Sequence, residues 1–331
     1  MTVYPWQVSR WEQLMSAVAS NRLPHALLLE GPPGIGLSVF ARTLAERLLC
    51  QNPGAGSACG NCNDCAMVSG GSHPDLVSIE PEEAGKQIRV DQVRELIDFI
   101  QLKSHSGRFK IAIIDPADAM NRSTANALLK TLEEPPGQSL LILNTHQAQR
   151  LPVTIRSRCQ RIEFSLQRDA EIIEWLANRL GDDQDADTLL QLAGTPIAAL
   201  EMAEANKIEQ RDRIIEDLVA VRNKTQDPVS LGKAWSDMGA REVITWLQQL
   251  FADLLKLRVM ENPPGIRNID RAERLRLVLN GLDLRQLLAC TQLLARIYAQ
   301  LNSTVSYNSQ ALLEEFVYFW QTIDTSGGRH Q

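Results

Sequence analysis

The chain has 331 residues, of which 44% are hydrophobic and 22% are charged, and its formal net charge is −6. This composition is typical of a soluble globular protein with two or three domains. It disfavours non-specific nucleic-acid binding through an overall basic surface, although a local basic patch is compatible with it. The N-terminus, MTVYPWQVSRWEQ, does not resemble a signal peptide, and no apolar stretch reaches the roughly 18–20 residues of a membrane span. We therefore expect a cytoplasmic chain with no membrane partner and with reduced cysteines.

Short apolar runs alternate with amphipathic segments in the first half of the chain. Runs of strand length occupy residues 25–30, 75–80, 109–115 and 139–144, and helical periodicity occupies residues 37–50, 90–102 and 124–134. Strands that alternate with helices build a parallel sheet covered on both faces. The pattern therefore predicts an α/β domain of this kind.

The second half of the chain is predicted to be all-helical. Short helices are expected at residues 169–180 and 186–192, and longer amphipathic helices at residues 208–223, 241–260, 282–301 and 308–323. The predicted organisation is an α/β domain at 1–164, a small helical domain at 165–206, a larger helical domain at 207–323 and a flexible tail at 324–331.

The segment GPPGIGLS, which follows the first predicted strand, has the frame of a phosphate-binding loop, G-x-x-x-x-G-K-[ST]. Gly31, Gly36 and Ser38 match the pattern and Gly34 is a further glycine, but Leu37 takes the place of the lysine. That lysine binds the β- and γ-phosphates, and a charged hydrogen bond contributes roughly 1.5–3 kcal/mol. We therefore expect weak nucleotide binding at most, and a loop that merely connects strand and helix fits better than a hydrolytic site.

The second half of a nucleotide-hydrolysis site is an apolar strand that ends in Asp-Glu. The segment IAIIDPADAM supplies Asp115 but has Pro116 where the glutamate, which activates water, belongs. Loss of a general base costs about 10²–10⁴-fold in rate, so Pro116 and Leu37 together argue against catalysis. An alternative interpretation, which we favour from the sequence, is that Asp115 caps a helix whose first residue is Pro116.

Four of the six cysteines lie close together in the chain, with the spacing C-x₈-C-x₂-C-x₂-C: Cys50, Cys59, Cys62 and Cys65. Such a set can form a closed tetrahedral S₄ site, which suits structural Zn²⁺. The intervening loop is too polar and too rich in glycine to fold on a core of its own, so metal would hold it together. The spacing alone is also compatible with a redox role or an iron–sulfur cluster. His73 is an alternative ligand, but we favour the interpretation that its segment, GSHPDL, leads into the next strand.

The segment IRSRCQR places three arginines, Arg156, Arg158 and Arg161, between a strand and the second domain. One interpretation is that they are solvated, or that they pair with phosphate or with carboxylates. Another is an arginine finger, which reaches into the nucleotide site of a neighbouring subunit and can contribute about 10³–10⁵ in rate. Cys159 and Cys290 have the character of small core residues.

Several of these segments together resemble the bacterial clamp-loader family of AAA+ proteins. The resemblance depends on HPDL at 73–76, ANALLKTLEEPP at 125–136, LPVTIRSRC at 151–159 and the four-cysteine insertion at 50–65. These motifs are specific and span roughly residues 25–164. The helical second half matches the family in length and character but contains no signature motif.

The resemblance implies an AAA+ module with a RecA-like domain and a three-helix lid, followed by a helical collar that joins subunits into a ring. The family belongs to the DNA polymerase III holoenzyme, in which other subunits carry out polymerisation. Its ATP-binding motor subunits have an arginine in a lid motif G-S-x-R-D-A-L, whereas GTPIAAL here has Ile197 at that position. With Leu37, Pro116 and Ile197, the chain resembles the stator of the loader, which does not hydrolyse ATP and has no functional ATP site.

The resemblance also implies a role for Arg158 as an arginine finger in trans, with Ser157 and Cys159 shaping its turn. The implied partners are the gamma/tau ATPase subunits and the delta subunit in a hetero-pentameric ring, the sliding clamp, and primer-template DNA through the complex. The implied function is to help load the clamp on primed DNA during chromosomal replication.

Three further positions are left open by this reasoning. Asn144 or Thr145 occupies the usual sensor position, and Lys130 lies on a helix that faces either DNA or solvent. Two rival functions also stay open, namely an active AAA+ ATPase with a degenerate loop and a zinc-dependent DNA-binding module.

Overall fold

The computed structural model describes residues 3–54, 56–83, 85–166, 170–181, 184–303 and 307–323. The chain divides into two structural units, Met1–Arg179 with Thr195–Ala198, and Leu180–Gly194 with Ala199–Gln331. The segment predicted as a small helical domain is thus shared between the units, and the division into three domains remains a prediction. The expected tail at 324–331 and Asp169 lie outside the described residues. Within the described ranges, no helix is both long enough and apolar enough to cross a membrane.

The first unit is built on a parallel five-stranded sheet. Its strands are β1 Ala26–Glu30, β2 Leu76–Ile79, β3 Lys110–Ile114, β4 Ser139–Thr145 and β5 Gln160–Glu163, in the spatial order β2-β3-β4-β1-β5. The register pairs Leu28 of β1 with Leu143 of β4 and with Arg161 of β5. The carboxyl ends of β1, β3 and β4 therefore lie at one edge of the sheet, and the loops that follow these strands share that edge.

Helices cover both faces of this sheet, as the sequence predicted. They are α1 Val8–Ala19, α2 Leu37–Leu49, α3 Asn63–Ser69, α4 Val90–Gln101, α5 Arg122–Ala127, α6 Leu129–Glu133 and α7 Val153–Arg156. A further helix, α8 Ala170–Ala177, packs through Trp175 on Tyr4 and Trp6. Because side chains alternate along a strand, Leu27 packs with Phe40 of α2 on one face, and Leu28 packs with Leu96 of α4 on the other.

Two details of the first unit differ from the sequence expectation. The periodic segment 124–134 forms two helices, α5 and α6, which meet at Leu128. The strand β5 was not predicted either, because Ile162 is the one apolar residue of its sequence, QRIE. A strand with one apolar residue lacks the apolar run by which the other strands were recognised.

The second unit is helical in its described part. Its helices are α9 Ala186–Ala193, α10 Pro196–Glu204 (which begins in the first unit), α11 Lys207–Arg222, α12 Pro228–Asp237, α13 Ala240–Val259, α14 Ala272–Leu279, α15 Leu284–Leu301 and α16 Ser309–Thr322. The predicted long helices correspond to α11, α13, α15 and α16, whereas α12 and α14 were not foreseen. Aromatic rings form much of the interior: Phe251 packs edge-on against Phe316 and Trp320, with centroids 5.7 and 5.2 Å apart.

Candidate functional site

The glycine loop connects β1 to α2 at the carboxyl edge of the sheet. Gly34 and Gly36 have φ values of +75° and +90°, in the left-handed region that favours glycine. Leu37 is the first residue of α2 and is only 2% exposed, because it packs into the core beside Phe40 and Ala41. At the lysine position of the pattern, the chain therefore has an inward-pointing apolar side chain.

Side chains from elsewhere in the first unit contact this loop. Trp6 Nε1 donates to the Ile35 carbonyl at 2.8 Å, and Gln7 Nε2 donates to the carbonyls of Ile35 and Gly36, both at 3.0 Å. Tyr4 stacks on Trp6, with centroids 4.8 Å apart, and a Cβ on Gly36 would lie 2.6 Å from the Tyr4 ring. The glycine at position 36 is thus required by packing within the chain as well as by its φ value.

The predicted lid position also lies against the loop. Thr195 Oγ1 donates to the Pro33 carbonyl at 2.8 Å, and the Ile197 N–H donates to the Gly34 carbonyl at 3.3 Å. A Cβ on Gly34 would overlap the Thr195 hydroxyl. Ile197 therefore takes part in loop packing through its backbone, although its side chain offers no charge.

Asp115, at the end of β3, does not cap a helix, so our favoured sequence interpretation is wrong. The short 3₁₀ helix Ala117–Ala119 has Pro116 at its N-cap position and no side-chain cap. Asp115 Oδ2 instead accepts a hydrogen bond of 2.8 Å from Asn144 Nδ2, at the end of β4. The strand order explains this difference, since β3 and β4 are neighbours and bring the two side chains together.

Two residues that sequence reasoning missed also tie this edge of the sheet together. Asp118 Oδ1 accepts hydrogen bonds from Thr145 Oγ1 at 2.8 Å and from the His146 N–H at 2.9 Å. His146 Nδ1 lies 2.9 Å from the Gly31 carbonyl. The residues at the expected sensor position therefore belong to a hydrogen-bonded network that joins the ends of β3, β4 and β1.

The four predicted cysteines come together between α2 and α3, with their sulfurs within 4.8 Å of one another. The Cys50–Cys62 and Cys59–Cys65 sulfur pairs are each 4.0 Å apart. A tetrahedral zinc site with bonds of about 2.3 Å requires sulfurs about 3.8 Å apart, so this set fits Zn²⁺.

The surroundings of the sulfurs favour the thiolate at Cys62 and oppose it at Cys65, where burial raises the pKa to about 12. The Cys59 N–H points at Cys50 Sγ at 3.2 Å, and the Cys65 N–H points at Cys62 Sγ at 3.4 Å. Burial opposes ionisation of Cys62, but hydrogen bonds from the Cys65 and Gln51 backbone N–H groups lower the pKa of this thiol to about 6. These N–H donors therefore favour the thiolate form of Cys62, which is the form that binds a metal.

His73 is not one of the clustered ligands. Its Nε2 faces Asp64 Oδ1 at 3.5 Å, and its Nδ1 accepts a hydrogen bond of 3.0 Å from the Asp75 N–H. Asp64 belongs to α3, which contains Cys65 as well, so His73 joins the cysteine segment to the start of β2. The alternative of a histidine ligand is therefore wrong for this arrangement.

Asp75 of the HPDL motif is fully buried and holds the loop before β3. Its carboxylate accepts hydrogen bonds from the N–H groups of His105 and Ser106, both at 2.8 Å, and pairs with Lys110 Nζ at 3.2 Å. Burial alone would raise the pKa of Asp75, but these N–H donors hold it well below its usual range. The aspartate of the HPDL motif is therefore explained by the fold, because it fixes the loop that precedes β3.

The arginine segment forms α7, a turn and β5. Arg158 Nη2 lies 2.5 Å from Glu133 Oε1, its Nη1 donates to the Thr154 carbonyl at 3.0 Å, and its side chain is 35% exposed. Arg161 pairs instead with Glu30 at 2.5 Å. Cys159 is buried in the core, as predicted, and burial raises the pKa of its thiol to about 11. The segment thus presents Arg158 at the surface from a turn that is anchored in the core.

Two family profiles match the chain, one over most of the first unit and one over most of the second. The family profile described as DNA polymerase III, delta subunit, matches residues 6–168, and the profile described as DNA polymerase III, delta subunit, C terminal, matches residues 205–322. Part of the chain is also similar to DNA polymerase III subunit tau of Escherichia coli, with 38% identity over 47% of this chain and 24% of that protein.

Two relatives match over nearly their whole length. DNA polymerase III subunit delta' of Pseudomonas aeruginosa is 34% identical over 98% of this chain and 99% of that protein. The Escherichia coli subunit delta' is 30% identical over 96% of this chain and 95% of that protein. A five-stranded parallel sheet, a four-cysteine insertion and a helical second unit accompany this similarity, and the chain belongs to the DNA polymerase III subunit delta' family.

Proposed function

We propose that this chain is a non-hydrolysing stator of the clamp loader and that it donates Arg158 to the nucleotide site of a neighbouring ATPase subunit. The observation that carries the proposal is a contrast between two parts of the first unit. At the glycine loop, Leu37 points into the core, and Trp6, Gln7 and Thr195 bond to the loop carbonyls. In the turn before β5, Arg158 is half-buried at the surface, and its neighbour Cys159 anchors this turn in the core.

The chemistry of the proposal belongs to the neighbouring subunit. A guanidinium carries a permanent charge and planar donors that match phosphate oxygens. In the transition state of phosphoryl transfer, charge spreads over the γ-phosphate, and an arginine supplied from another subunit stabilises that charge. We propose gamma/tau-type subunits as recipients, delta as a further ring member, and the sliding clamp and primer-template DNA as the targets of the complex.

We also propose structural Zn²⁺ at Cys50, Cys59, Cys62 and Cys65. The four sulfurs have the spacing of a tetrahedral S₄ site, and no substrate role is assigned to the metal. Its contribution is to order the polar loop between α2 and α3. The helical second unit is proposed as the collar through which the subunit joins the ring, and it corresponds to the matched C-terminal profile.

The test is an Arg158→Ala variant in the reconstituted complex. Since an arginine finger contributes about 10³–10⁵ in rate, the recipient site should become inactive, and total DNA-stimulated ATPase should fall by the share of that one site. Clamp loading should fall with it, while assembly is preserved. Arg161→Ala is the matched control, because Arg161 is a nearby arginine that pairs with Glu30. ATPase and loading that are unchanged by Arg158→Ala would refute the proposal, as would ATP turnover by the isolated chain.

A further inference from the structure

We infer that Glu133 is the resting partner of Arg158, which holds the guanidinium in the unassembled chain and releases it when the arginine contacts a phosphate of the neighbouring subunit. The inference rests on the proposed arginine-finger function and names the residue that regulates it. Glu133 is an exposed residue of the LLKTLEEPP segment, and the fold alone does not require a glutamate at this position.

The geometry joins the two side chains directly. Arg158 Nη2 is 2.5 Å from Glu133 Oε1, while Nη1 donates to the Thr154 carbonyl at 3.0 Å. Both terminal nitrogens of the guanidinium are therefore engaged within this chain. Because these nitrogens are the donors that would bind phosphate oxygens, the Glu133 contact has to be given up when the finger docks.

The backbone on both sides of the pair is held by the core. Leu132, next to Glu133, is 2% exposed, and Cys159, next to Arg158, is 8% exposed. Both belong to one buried cluster, together with Leu128 and Ile155. The side chains of the pair, in contrast, are 35% and 51% exposed. Release of the arginine therefore requires only side-chain rotation, which occurs in picoseconds to nanoseconds at exposed positions.

In the resting state, the positive charge of Arg158 compensates negative charge at the end of α6, where Glu133 lies. Glu133 is the last residue of α6, where the helix dipole disfavours a carboxylate. Glu134 follows directly and is also exposed, so two acidic residues adjoin the helix end. A cation from α7 and its turn compensates this charge. A nucleoside triphosphate presents more negative charge than one carboxylate and can displace Glu133 from the guanidinium.

Removal of the Glu133 charge should have a small but measurable effect on the affinity for the partner subunit. Partly exposed ion pairs have coupling energies that correspond to roughly 1.5- to 5-fold in an equilibrium constant. A variant without the Glu133 charge should therefore bind its ATP-loaded partner about 1.5- to 5-fold more tightly, because the finger no longer leaves a favourable contact. The difference should shrink at high ionic strength, since salt screens exposed pairs.

The experiment compares Glu133→Gln with Glu134→Gln in the full-length chain. The apparent affinity for ATP-loaded gamma/tau-type subunits is measured at low and high salt, in the Arg158 and Arg158→Ala backgrounds, with thermal unfolding of each variant as a check of folding. We expect tighter binding for Glu133→Gln only, at low salt only, and no such change once Arg158 is alanine.

Two results would overturn the inference. One is equal behaviour of Glu133→Gln and Glu134→Gln. The other is weaker binding by Glu133→Gln, since this would mean that Glu133 orients the arginine within the assembled complex. Failure of the arginine-finger function itself is separate: it would appear as an Arg158→Ala variant with unchanged ATPase, whatever Glu133 does.

Discussion

Replacing Leu37 with lysine restores the phosphate-binding pattern of the glycine loop and tests whether that loop is a nucleotide site or a packed connection. Leu37 is 2% exposed and packs beside Phe40 in the core between the sheet and α2. Burial of a leucine side chain contributes roughly 1.5–3 kcal/mol, and an ammonium group at the same place has to be desolvated or to reach solvent along the loop. We therefore expect Leu37→Lys to lower the free energy of unfolding by about 2–5 kcal/mol.

This loss corresponds to a fall of about 4–20 °C in the midpoint of thermal unfolding, at about 2–4 °C per kcal/mol for a unit of this size. The assay is thermal unfolding followed by circular dichroism, together with calorimetric titration with ATP and Mg²⁺. Leu37→Met is the matched control, because a swap that conserves volume costs less than about 1.5 kcal/mol. A Leu37→Lys chain that keeps its stability and binds ATP would refute the reasoning, since it would mean that position 37 can turn toward a functional site.

Two further predictions concern the cysteines and Asp75. Chelation of Zn²⁺ should destabilise the first unit and open the polar loop between α2 and α3, which makes its four thiols reactive toward a disulfide reagent at pH 8, including Cys65, whose pKa burial raises to about 12 in the folded segment. Cys159 and Cys290 should stay slow because they remain buried outside this loop, where burial raises the pKa of their thiols to about 11 and 12. Metal analysis before and after chelation checks this, and six equally reactive thiols in the metal-free chain would contradict it. Asp75→Asn should lower the free energy of unfolding by about 3–5 kcal/mol, because it leaves Lys110 buried without its carboxylate partner. Since the pKa of Asp75 is lowered in the folded chain, its stabilising contribution is complete above about pH 4 and is lost as the pH falls below that value. Urea unfolding between pH 7 and pH 2 should therefore show a shallower acid loss in the variant than in the parent, and parallel curves would argue against the assignment.

Several features could be predicted from the sequence because their determinants lie close together in the chain. The four predicted strands are short apolar runs, and each long helix has an apolar face with a period near 3.6 residues. Three of the four cysteines lie within seven residues, so a shared site follows from short-range geometry. The edge strand β5 escaped prediction because its sequence, QRIE, contains a single apolar residue and therefore no apolar run.

Other features depend on residues far apart in the chain. Asp115 looks like a helix cap in the sequence, but β3 and β4 are neighbours in the sheet, and this places its carboxylate on Asn144. The glycine loop looks like an incomplete phosphate site, but residues as distant in sequence as Trp6 and Thr195 bond to its carbonyls.

The sequence by itself determined the α/β and helical division, the cysteine cluster and the degenerate glycine loop, since each depends on local periodicity or spacing. Only the tertiary structure decided that Leu37 points into the core, that His73 faces Asp64 and not the sulfurs, and that Glu133 holds Arg158. The physical reason is that side-chain partners are chosen by strand order and helix packing, and these bring together residues whose separation along the chain leaves no local pattern.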